Sequence, residues 1–89
     1  MPKLSRKGDT DSGGGKIQRG ASTVFCNGLP VALHTSDISK HPGGGKHNAA
    51  KTTEGSPTVF AEGVAVLRVG SGNDCGHPIN QGSDNVFVP

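Results

Sequence analysis

The sequence predicts a mainly β fold, a small domain of three β-hairpin repeats around a pseudo-threefold axis, with Gly-rich loops and a metal staple. Composition is the first reason. The chain has 89 residues, 30% of them apolar, with 3 Phe and neither Trp nor Tyr. A chain of this size buries only about 60% of the surface it exposes when unfolded, so a core this thin calls for a staple. Its 15 Gly and 6 Pro tax helices heavily and exclude a helical bundle. The second reason is a repeat. Gly20-Ala21-Ser22-Thr23-Val24-Phe25, Gly55-Ser56-Pro57-Thr58-Val59-Phe60 and Gly82-Ser83-Asp84-Asn85-Val86-Phe87 align without gaps, and every Phe falls at the same position. The third is the presence of 4 His beside 2 Cys, which favours a metal role for at least one Cys over a disulfide.

Each repeat reads as a strand, a tight turn and a returning strand. The first strands carry the Val-Phe pairs, and Cys26-Asn27-Gly28 and Ala61-Glu62-Gly63 are turn signals. Pro30-Val31-Ala32-Leu33 and Ala65-Val66-Leu67-Arg68 then return. Alternation places Val24 and Cys26, Val59 and Ala61, and Val86 and Val88 on one inward face and the three Phe on the other. The third repeat stops at Pro89 without a return strand, which the N-terminal Leu4-Ser5-Arg6-Lys7-Gly8-Asp9 is expected to supply. The reading is therefore one domain over 1–89, with units around 8–34, 47–71 and 74–89.

This arrangement resembles the PAAR-repeat proteins, the conical tips of type VI secretion spikes and of contractile phage tails. The residues that carry the likeness are Arg6-Lys7-Gly8-Asp9-Thr10, the tripled Gly-x-x-x-Val-Phe, the Asn27-Gly28 turn, the strand Val66-Leu67-Arg68-Val69-Gly70, and Cys75-Gly76 before the last unit. The name-giving Pro-Ala-Ala-Arg survives only as Pro30-Val31-Ala32-Leu33 and Val64-Ala65-Val66-Leu67-Arg68. Thr35-Ser36 and Gly70-Ser71 stand where Gly-Asp is usual, and Gly13-Gly14-Gly15 stands where many members carry a His. The resemblance implies a cone whose base caps a homotrimeric β-helical spike, one chain per trimer, and whose vertex is organised by a metal.

The candidate ligands are His34, His41, His47, Cys75 and His77, all between the Phe-bearing strands. Aligned on the repeat Gly, His47 and Cys75 converge near the axis. His77 faces Gly15 and Ala50, and His34 matches Val69, read as an inward position. His41 lies in the insertion Thr35 to Lys46, whose Pro42-Gly43-Gly44-Gly45 can fold back over the tip. Imidazoles and a thiolate suit a structural, tetrahedral zinc. Five candidates compete for four places, preferred in the order Cys75, His47, His41, then His77 and His34. Cys26 reads as a small buried apolar residue.

Other chemistries fare less well. Asp74 is the one carboxylate adjacent to the candidate ligands in sequence, so a catalytic zinc lacks its acid or base and no enzyme is expected. Gly13-Gly14-Gly15-Lys16 and Gly43-Gly44-Gly45-Lys46 lack the Ser or Thr and the helix of a phosphate loop. Net charge is +2 and the only dense basic stretch is Lys3, Arg6 and Lys7, a poor footprint for nucleic acid. The N-terminus has no apolar signal region, and no apolar run is long enough to span a bilayer. The expected function is a structural, membrane-piercing spike tip acting on a host envelope, with no nucleic acid and no small-molecule substrate. It would reside in a virion tail baseplate, or in bacterial cytoplasm before delivery on a secretion spike. A small zinc-dependent module binding nucleic acid or protein is the alternative.

Overall fold

The computed structural model describes the backbone of residues 1–89 and every side chain except that of Lys46, so the Gly43-Gly44-Gly45-Lys46 reading is met only through its backbone. Strand β1 (Gly20–Cys26) turns through Asn27-Gly28 into β2 (Leu29–Ala32), and β3 (Phe60–Ala61) turns through Glu62-Gly63 into β4 (Val64–Ala65). Both pairs are antiparallel. Positive φ at both turn residues, 54° and 79° in the first and 53° and 78° in the second, gives the tight hairpin turn whose twist matches its strands. The third hairpin joins the two ends of the sequence. Lys3 bridges Phe87, Leu4 N–H donates to Val86 C=O at 2.9 Å, and Val88 N–H donates to Pro2 C=O at 2.8 Å.

The three return strands close on one another. Ser5 N–H donates to Leu67 C=O at 3.0 Å, Leu67 N–H to Ala32 C=O at 2.9 Å, and Ala32 N–H to Ser5 C=O at 3.1 Å. These residues are equivalent in the repeat and none is exposed, so the pseudo-threefold axis runs through their ring. A second tier repeats the pattern, with bridges Ile17–Ile38, Thr52–Asn73 and Ile79–Asp11. The core divides accordingly. Leu4, Ala21, Cys26, Val31, Leu33, Ala61, Val66 and Val88 pack near the hairpin turns, while Ile17, Ala32, Ile38, Ala50, Leu67 and Ile79 pack further along the axis. The molecule measures 32 × 23 × 22 Å, and among the described residues no helix is long and apolar enough to cross a membrane.

The repeat glycine has a steric reason. A Cβ on Gly20, Gly55 or Gly82 would stand 3.0 Å from Lys7 Cβ, 3.0 Å from His34 Cβ or 3.1 Å from Val69 Cγ2, the equivalent residues of the return strands. The next position, Ala21, Ser56 or Ser83, is buried in all three units. Ser56 Oγ accepts from Val59 N–H (3.1 Å) and Ser83 Oγ from Val86 N–H (3.0 Å). Ala21 has no hydroxyl, and Glu62 reaches over from the neighbouring hairpin to hold the Thr23 amide, the equivalent of Thr58, and that of Ser22. Its carboxylate accepts from Ser22 N–H (3.2 Å), Thr23 N–H (2.9 Å) and both hydroxyls.

Those serine turns correct one expectation. Cys26, Ala61 and Val88 face inward, but Val24 and Val86 remain 38% and 37% exposed. In the second and third units the Val amide is held by the serine, so the strand begins only at the following Phe. In the first, the ladder between Gly20 and Phe25 is irregular. The three Phe point outward and are exposed.

Candidate metal centre

Beyond the inner core cluster, three polar side chains from two segments meet. His41 follows the axial Ile38, and His47 stands on a short 3-10 turn, Gly45–Asn48. The intervening loop doubles back, with His41 N–H donating to His47 C=O (3.1 Å) and His47 N–H to Gly44 C=O (3.0 Å). Gly43, Gly44 and Gly45 take φ of 132°, 65° and 53° in succession, a run that only glycine sustains. The loop is thus a fold-over device rather than a phosphate cradle. Cys75 enters from the last unit, half-buried against the inner core cluster.

One ligand atom each from His41, His47 and Cys75 lies within 4.8 Å of the others. His41 Nε2 is 3.1 Å from His47 Nδ1 and 3.7 Å from Cys75 Sγ. A tetrahedral zinc with bonds of about 2.05 Å to nitrogen and about 2.3 Å to sulfur holds its ligands about 3.3 Å (N to N) and about 3.6 Å (N to S) apart. The donor set and its spacing fit such an ion. His41 Nδ1 lies 2.9 Å from Ser39 C=O, a partner that only accepts, so its proton sits on Nδ1 and the Nε2 lone pair is free to ligate.

His77 adjoins this trio. Its ring centroid is 4.9 Å from that of His47 and 5.7 Å from that of His41, and its Nδ1 lies 3.2 Å from Ser12 Oγ. Room for it comes from Gly13, where a Cβ would press into the His77 ring. Gly15, matched with His77 in the sequence alignment, makes room for His41 instead. His34 is not brought to the cluster. Rather than pointing inward, it packs over Gly55, as Lys7 and Val69 pack over Gly20 and Gly82, and its Nδ1 is 3.1 Å from Thr52 Oγ1. Cys26 is buried near the hairpin turns, and both cysteines are free.

Sequence reasoning looked to Asp74 for a carboxylate and missed the one at the centre. Asp74 is exposed and accepts from Lys51 N–H at 3.0 Å. Asp11 is buried, with Oδ2 4.0 Å from His41 Nε2. Its equivalence to Ile38 and Asn73 in the second tier was the available signal, because that tier lies on the axis.

The family model described as the PAAR motif matches residues 7–81, most of the chain. The chain belongs to the PAAR-motif family. No curated protein matches it. Membership assigns the chain a spike-tip role in contractile injection systems, in association with a spike protein, as a structural component of phage-tail or type VI secretion machinery. The PAAR fold accounts for the mainly β architecture, the near absence of helix and the His41-His47-Cys75 cluster, which can hold a metal ion.

Proposed function

We propose that this PAAR chain is the piercing tip of a contractile injection machine, a phage tail baseplate or a type VI secretion system, capping a homotrimeric β-helical spike one chain per trimer and acting on the host envelope. The ring of Ser5, Ala32 and Leu67 carries the reading. A trimer offers three equivalent strand ends around its axis, and a single chain matches them only by repeating one edge three times. Val24, Phe25, Leu29, Phe60, Val86 and Phe87 supply exposed apolar surface in the same three hairpins, as strand addition to an exposed sheet end requires. The same geometry serves a bacterial type VI spike.

His41, His47, Cys75 and His77 are the proposed zinc ligands. The ion would supply a cross-link between the loop insertion and the last unit. The role is mechanical, since a narrow point concentrates contraction force and a closed vertex resists unfolding there. Native mass measurement of the capped spike should give one PAAR chain per trimer, and three per trimer would overturn the reading. Leu29→Asp should abolish capping with metal content unchanged.

A further inference from the structure

Among the described residues, Asp11 is the one carboxylate that enters the axial polar cluster, and N–H donors surround it. Oδ1 accepts from Gly13 N–H (2.9 Å) and Gly15 N–H (2.8 Å), and Oδ2 accepts from Asn73 Nδ2 (3.0 Å). Three N–H donors thus reach its two oxygens. Asn73 gives its amide donor to Asp11 although its own Oδ1 is then buried without a partner. The side chain of Asp11 is wholly buried, so solvent does not screen its charge, and Oδ2 stands 4.0 Å from His41 Nε2. His41 Nε2, His47 Nδ1 and Cys75 Sγ also present lone pairs here, so the cluster as a whole calls for positive charge.

We propose that Asp11 is a charge-balancing positioning residue of the metal site, which with the Cys75 thiolate matches a divalent ion and so selects divalent over monovalent cations. The proposal rests on the metal reading above. Thiolate and imidazole suit soft monovalent ions such as silver(I) as well as zinc(II), so the donors alone do not decide between them. Charge does. With neutral imidazoles, a divalent ion and one thiolate leave one positive charge, which Asp11 cancels. A monovalent ion is already neutralised by the thiolate, and Asp11 then leaves one buried negative charge in excess.

The test is competition between zinc(II) and silver(I) for the full chain, wild type against Asp11→Asn. Both affinities refer to the same metal-free state, so any change in folding cancels from their ratio. Asp11→Asn keeps an oxygen for the Gly13 and Gly15 amides and removes the charge. The zinc-to-silver affinity ratio should fall at least tenfold. An equal loss for both ions, or no loss for either, would mean that Asp11 only shapes the loop and would overturn the proposal. Should Asp11→Asn bind neither ion, Asp11→Ser, a smaller neutral acceptor at the same corner, decides. The ratio should again fall at least tenfold, and an unchanged or raised ratio would refute the assignment. Failure of the metal reading itself is distinguishable, because the wild-type chain would then take up neither cation.

Discussion

Cys26 and Cys75 share a chemistry and differ in their neighbours. Cys26 fills a small site beside Ala61 and Val88 near the hairpin turns, whereas Cys75 Sγ lies 3.7 Å from a histidine nitrogen. Cys26→Ala should therefore cost roughly 1 kcal/mol and leave metal content intact. Cys75→Ser should lower metal affinity and the melting temperature together, as thermal unfolding and elemental analysis would show; equal sensitivity at the two positions would contradict this assignment. Gly13 offers a sharper probe. A methyl there presses on the His77 ring, so Gly13→Ala should weaken zinc binding at least tenfold against a chromophoric chelator if His77 is the fourth ligand. Unchanged binding would remove His77 from the set.

At the scale of the hairpin, Glu62 shows how an imperfect repeat is repaired. Its hydrogen bond from the Thr23 hydroxyl, followed by the Ser22 amide, holds its carboxyl below the ordinary carboxylate range. A lowered folded value means that the stabilisation is present above the unfolded value and is lost as pH falls through the folded one. The Ser22 and Thr23 amides should thus be protected from hydrogen exchange at neutral pH and lose protection in acid. Glu62→Ala should expose them at every pH, and adding Ala21→Ser should restore protection at Thr23 but not at Ser22, because Ser56 and Ser83 accept from the amides two and three residues on. Persistent protection in Glu62→Ala would show that the carboxylate is not the clamp. This clamp was invisible in the sequence because Glu62 reads there only as a turn residue. The hairpins themselves were legible, since Asn27-Gly28 and Glu62-Gly63 carry turn chemistry in fixed places. Asp11 was legible only through its repeat match to Ile38 and Asn73, because its side-chain partner Asn73 lies 62 residues away. His34 misled by its match to Val69, a position that the fold turns toward the repeat glycines rather than the axis.

For the whole molecule, the metal reading makes a strong demand. With so few large buried side chains, ion binding is part of the folding free energy, and chelation should collapse the cooperative thermal transition. A metal-free chain that melts at the same temperature would contradict it. The ring of return strands adds a constraint of its own, which appears when the chain is followed in time. Ser5 takes part in two of its three hydrogen bonds, with Leu67 and Ala32, and Leu4 pairs with Val86. On the ribosome, Ser5 is made before both of its ring partners, and Leu4 long before Val86. The two local hairpins can form early, but the seam pairing Leu4 with Val86 cannot close until Val86 has emerged, and such long-range closure is slow. The third hairpin is thereby the last of the three to close, so a product interrupted before Val86 keeps two hairpins and has no threefold face to offer.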